Sequence, residues 1–156
     1  MAVGLKLGFS RTISLACPFF VPREILNDGS WPHPSRLPLG AGWRGTCCAQ
    51  RQEEASDLAI DALYVRDFCN LGYAKECPHF PHNRDWDAVR FSIASSSDDQ
   101  LTLCYTCELD YVPVEHGTLI YDLAGNVWRV EARDQRVRRL ADSYVRAYRS
   151  RQASLI

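Results

Sequence analysis

Between Cys17 and Gly45 the chain is punctuated by Pro18, Pro22, Pro32, Pro34 and Pro38, and then by Gly40, Gly42 and Gly45. Each proline fixes φ and removes a backbone donor, and each glycine carries extra freedom that folding must take away. Residues 1–52 are therefore expected to be loop-rich, without a long helix or a central strand. Such a stretch buries few side chains by itself and has to be pinned to something. Trp31, Trp43, Phe19 and Phe20 offer apolar anchors; Cys17 and Cys47 offer covalent or coordinate ones.

The rest of the chain is regular. Glu53, Glu54 and Asp57 precede Leu58, Ala62, Val65 and Cys69 at helical spacing, with Gly72 in the place of a C-cap, which predicts a helix over 53–72. Beyond the Cys77–His82 loop the period changes to two. Val89, Phe91 and Ile93 alternate, residues 95–100 are polar, and Leu101, Leu103, Tyr105, Cys107 and Leu109 alternate again, as a hairpin with one buried face does. Glu115-His116-Gly117 reads as a turn, and a second hairpin is expected over Thr118–Asp122 and Val127–Glu131, so that antiparallel strands, about four, occupy 87–131. Val137, Leu140, Ala141, Tyr144, Val145 and Tyr148 trace an amphipathic helix over 134–151. Strands in one block with helices at each end predict an α+β fold, and 156 residues suit a single domain, 1–156.

The formal net charge is −1, which gives no global pull toward nucleic acid. The charge is unevenly distributed, with four basic and thirteen acidic side chains over 53–115 but eight arginines against three acids over 126–156. No apolar run approaches the roughly 18–20 residues that span a bilayer. The first 16 residues resemble an export signal only faintly, because Arg11 and Thr12 interrupt the apolar stretch and Ser14 stands where a lipoprotein signal has leucine. A cytoplasmic location is expected. In such a reducing compartment the seven cysteines read as thiolates for metal or chemistry, not as a disulfide frame.

Two cysteine loops resemble each other. Cys17-Pro18-Phe19-Phe20 and Cys77-Pro78-His79-Phe80 both read C-P-x-F, each with a further proline close behind. Proline directly after a ligand cysteine stiffens the loop and recurs in bacterial ferredoxins, and aromatic neighbours exclude water from a cluster. With Cys69 and the Cys47-Cys48 pair, these loops supply four thiolates, the coordination of a 4Fe-4S cluster. The expected ligand set is Cys17, Cys47, Cys69 and Cys77, with Cys48 as the substitute for Cys47. With every iron held by protein, the expected role is electron transfer, redox sensing or structural support of a partner protein, and not an enzyme.

Two other readings stand beside it. A zinc-stabilised module would use cysteines with His79, His82 or His33 and dock its Arg-rich C-terminal helix on protein or nucleic acid; yet Tyr144 and Tyr148 fall on the helix's apolar side, so nucleic acid is disfavoured. A metal-free cysteine-dependent enzyme would pair Cys69 or Cys77 with a histidine. Cys104 and Cys107 form the only C-x₂-C, but residues three apart on a strand face opposite ways, which makes Cys107 a core residue. Asp85 and Asp87 read as polar residues at a loop exit. No phosphate loop, dinucleotide fingerprint or HExxH helix is present.

Overall fold

The computed structural model describes residues 15–49, 58–59, 65–71 and 77–155. Within them the fold is α+β, two antiparallel sheets and a C-terminal helix. The smaller sheet has the order β1 (Phe20–Ile25), β2 (Trp43–Cys47), β3 (Leu58–Ala59). Two strands thus run through the segment expected to be loop-rich. Pro22 is tolerated because β1 is an edge strand and its ladder slips between Pro22 and Glu24, where a missing N–H costs no paired carbonyl.

The larger sheet is a meander, β4 (Ala88–Ser96), β5 (Gln100–Leu109), β6 (Val112–Asp122) and β7 (Val127–Val130). Leu109 pairs with Val112, so Asp110 and Tyr111 alone form the β5–β6 turn. Both have positive φ, 51° and 66°, the mirror-image turn whose twist matches that of the strands. That turn corrects the expectation for Glu115-His116-Gly117, which lies inside β6. Gly117 marks a close approach instead of a turn: it faces Tyr105 across the ladder, and a Cβ there would stand 2.7 Å from the tyrosine ring.

Helix α1 (Gln135–Ser154) starts at Asp134, whose carboxylate accepts the Arg136 amide at 2.8 Å. It buries Val137, Leu140, Ala141 and Val145, and these join Val89, Phe91, Leu101, Leu103 and Leu119 of the large sheet in one apolar cluster with Phe20 and Trp43 of the small one. Each such side chain contributes roughly 1.5–3 kcal/mol on full burial. A two-way backbone bridge between Ala16 and Val89 ties the start of the described chain to β4, with N···O distances of 2.6 and 2.8 Å.

The helix expected over 53–72 is not continuous. Leu58–Ala59 pair with Thr46 and Cys47 as β3, and Val65–Cys69 form a single π-helical turn. Pairing to the open edge of β2 overrides the helical periodicity at Leu58, as tertiary context often does. Asn70 and Leu71 follow in a turn, and the remaining residues of that range, Gly72 included, lie outside those described.

Candidate metal centre

The repeated C-P-x-F sequence becomes a repeated structure. The Phe20 amide donates to the Cys17 carbonyl at 3.2 Å, and the Phe80 amide to the Cys77 carbonyl at 3.0 Å. Proline at the second position pre-sets the φ such a turn requires. The two turns face each other, since the Phe19 and Phe80 rings meet edge to face with centroids 5.6 Å apart. At Cys17 the thiol also accepts the amide of Phe19, the first N–H available after the proline.

Cys47 reaches the same place through sheet register. It pairs with Phe20 across β1–β2, and the next amide, that of Cys48, donates to the Phe19 carbonyl at 2.9 Å. The Ala49 amide turns back onto Cys47 Sγ at 3.3 Å, so Cys17 and Cys47 each carry an N–H···S bond from two residues on. Cys69 ends the π turn and is placed by its neighbour. The Asn70 side chain accepts the Trp43 amide at 2.9 Å, donates to the Trp43 carbonyl at 3.0 Å and to the Val65 carbonyl at 3.1 Å.

As a result Cys17, Cys47, Cys69 and Cys77, from four separate segments, line one hollow together with Phe19, Phe68, His79 and Phe80. Its empty space, mouth included, is ≈ 340 Å³, and its centre admits about one water-sized sphere. No oxygen or nitrogen of the lining opens onto it. Burial pushes the Cys17 thiol strongly upward, and the charges of Cys69, Cys47 and Cys77 push it further, against the Phe19 amide that lowers it. Cys69 is pushed up to about 12 by burial and then by Cys47 and Cys77. Buried in this apolar hollow, the Cys17 and Cys69 thiols stay protonated unless a cation takes the protons' place.

Cys48 faces the other way, its Sγ 3.4 Å from an Arg139 guanidinium nitrogen on α1. Adjacent strand residues alternate faces, so only one of the pair can join the hollow. His79 lines it; His82 and His33 are exposed and do not. Cys107 is fully buried in the apolar cluster and its thiol is pushed up to about 12 by burial, then by Glu115 and Asp134, while Cys104 stands half-buried on the opposite face of β5. None of the seven cysteines forms a disulfide.

The surrounding supports were not readable from the sequence. Asp87 is completely buried, not a solvated loop exit: it takes an ion pair from Arg84 and accepts the Asp110 amide at 2.7 Å. Arg84 also lies over the Phe80 ring, 4.5 Å from its centroid, and Arg136 lies over Trp86 and Phe19 at 4.2 and 5.7 Å. An Asn directly after a candidate ligand cysteine was the one sequence signal available for Asn70.

Among the described residues, no group of three or more His, Cys, Asp or Glu side chains is gathered as the ligands of one metal ion are. Comparison of the chain with known protein families, with curated proteins and with solved structures finds no match.

Proposed function

We propose that the chain is a small iron–sulfur protein whose 4Fe-4S cluster is held by Cys17, Cys47, Cys69 and Cys77, serving electron transfer, redox sensing or support of a partner complex in the cytoplasm. One observation carries the reading: four thiols from four separate segments border one hollow onto which no oxygen or nitrogen of the described residues opens. Bound there, the cluster would supply one-electron redox chemistry and staple the N-terminal segment to the π turn. The chain's own part is to repel water with Phe19, Phe68 and Phe80, and to stabilise thiolate charge with the N–H···S bonds at Cys17 and Cys47. Arg84 and Arg136 add positive charge just behind the phenylalanine walls.

A cluster asks less of the thiols' closeness than one ion does, and they are not gathered as the ligands of one ion are. A Zn–S bond of about 2.3 Å draws four tetrahedral sulfurs to about 3.8 Å of one another, whereas a cluster gives each thiolate its own iron. His79 on the lining is the one feature favouring the second reading, a mixed Cys/His zinc site. A docking role for the α1 arginines is weakened by their engagements: Arg136 with Asp85 and Asp134, Arg138 with Glu131, Arg151 with the Gly40 carbonyl. A cysteine nucleophile is disfavoured at Cys69, whose raised pKa keeps it a thiol.

Anaerobic purification followed by iron, zinc and acid-labile sulfide analysis tests the proposal. Brown protein with matching iron and sulfide is the expected result. Colourless protein with one zinc supports the second reading, and metal-free folded protein ends both.

A further inference from the structure

The C-terminal half of α1 carries unbalanced charge. From Ser143 onward the sequence has Arg146, Arg149 and Arg151 and no acidic residue. Arg146 and Arg149 stand three apart, neighbours on a helix surface, where like charges repel. Both line a cleft of ≈ 870 Å³, open to solvent, which α1 forms with Ile25 at the end of β1, Tyr121 of β6 and Asn126 of the following turn. Sites for small organic molecules commonly have about 300–1,000 Å³.

Neutral groups hold both guanidinium groups in place. Arg146 lies over the ring of the fully buried Trp43, 5.0 Å from its centroid. Arg146 makes no hydrogen bond or ion pair with any described residue, so the fold leaves its N–H donors open to a ligand. Arg149 donates through Nη1 to the Leu123 carbonyl at 3.3 Å and to the Asn126 side-chain oxygen. These contacts position the two cations and neutralise neither. Asp142 is the one carboxylate among the described residues of the lining, and its Oδ1 accepts the Trp128 indole N–H at 2.6 Å. Tyr121, packed edge to face on Trp128 with centroids 4.9 Å apart, joins Ile25 and Val145 as the apolar part of the wall.

We propose that this cleft binds a small organic phosphate monoester, its phosphate held between Arg146 and Arg149 and its apolar body laid on Tyr121, Ile25 and Val145. Charge selects the head, because two guanidinium groups one turn apart match a dianion, and their N–H forks fit phosphate oxygens. The apolar wall selects a body, so inorganic phosphate is the poorer ligand. Cations already fixed by Trp43 and by the β6–β7 turn lose little freedom on binding. The cleft shares no lining residue with the thiol hollow, and the proposal is independent of the iron–sulfur reading.

Calorimetric titration of the full-length protein with phenyl phosphate tests it, together with backbone amide shifts of the isotope-labelled protein. Saturable binding is expected, with shifts centred on residues 121–126 and 142–150. It should weaken about tenfold in Arg146→Gln and in Arg149→Gln, and stay unchanged in Arg138→Gln, whose guanidinium pairs with Glu131. Arg146→Lys, which keeps a cation beside Trp43, should recover part of the binding and shows that loss in Arg146→Gln is not loss of folding. High salt should weaken binding, inorganic phosphate should bind less tightly, and phenol should not bind. No saturable binding at millimolar phenyl phosphate, equal binding by Arg146→Gln, equal binding of phenol, or shifts centred elsewhere would each overturn the site. Benzoate bound as tightly as phenyl phosphate would overturn the choice of a dianionic head.

Discussion

Asn70 and Trp43 hold each other by a reciprocal pair of hydrogen bonds, side-chain amide to backbone carbonyl at 3.0 Å and backbone amide to side-chain oxygen at 2.9 Å. Both residues are buried, and 27 positions separate them. The pair does for Cys69 what strand register does for Cys47, fixing a thiol against β2. Asn70→Ala takes the side-chain partner from the buried amide and carbonyl of Trp43, a loss of about 2–6 kcal/mol at roughly 1–3 kcal/mol per orphaned group, while the Val65 carbonyl keeps the Asn70 backbone amide. The expected outcome is a lowered denaturant midpoint and weaker metal retention, with Asn70→Asp restoring neither, because its carboxylate cannot donate to Trp43. Retention equal to wild type would show that Cys69 is placed by other contacts.

The two adjacent cysteines at the end of β2, Cys47 and Cys48, should behave differently. Cys47→Ser, like Cys17→Ser, is expected to abolish stoichiometric iron and sulfide. Cys48→Ser, which removes a thiol that faces Arg139 instead of the hollow, is expected to leave both unchanged. Full metal content in Cys17→Ser would sink the ligand set.

Alkaline stability should depend on metal. The Cys69 thiol is pushed up to about 12 in the folded chain from an ordinary value near 9. A raised pKa means that the folded state prefers the protonated thiol, so its contribution is fully present below pH 9 and lost between pH 9 and about 12. Metal-free protein is therefore expected to lose stability across that window in urea titrations at stepped pH. Loaded protein should not, because its thiolates are already deprotonated. Uptake of metal should release protons, measurable in weakly buffered solution, and weaken as the pH falls.

Tyr111→Gly is expected to raise stability by about 1 kcal/mol, since left-handed backbone costs a non-glycine residue roughly 1–2 kcal/mol and glycine returns part of the gain as chain entropy. Thermal melts of the two proteins check this. A lowered melting point would mean that the contacts of the tyrosine outweigh the cost of its left-handed backbone.

Gly117→Ala should destabilise by about 1–3 kcal/mol, because the added methyl would stand 2.7 Å from the Tyr105 ring. Tyr105→Leu in the same chain should recover most of the loss if the clash is the cause, as a double-mutant cycle in denaturant would report.

Much of the framework was present in the sequence because it depends on local periodicity. Alternation at Leu101, Leu103, Tyr105 and Cys107 makes β5 and sends Cys107 inward, and the spacing of Val137, Leu140, Ala141 and Val145 makes α1. The likeness of the two C-P-x-F loops was visible too, since proline dictates their turns residue by residue. What periodicity could not say is which edge Leu58–Ala59 would join, nor that Asp110 and Tyr111 would take the hairpin turn from Glu115-His116-Gly117. Those outcomes depend on partners distant in the chain.

The sequence by itself determined that Cys17, Cys47 and Cys77 lie in stretches punctuated by proline or glycine, and that strands and a helix follow. Only the tertiary structure decided that Cys17, Cys47, Cys69 and Cys77 border one hollow while Cys48 turns to Arg139. The reason is physical: local rules set which way a side chain points from its own segment, but convergence depends on the Phe20–Cys47 register and the Asn70–Trp43 clamp, and neither is encoded by neighbours in sequence.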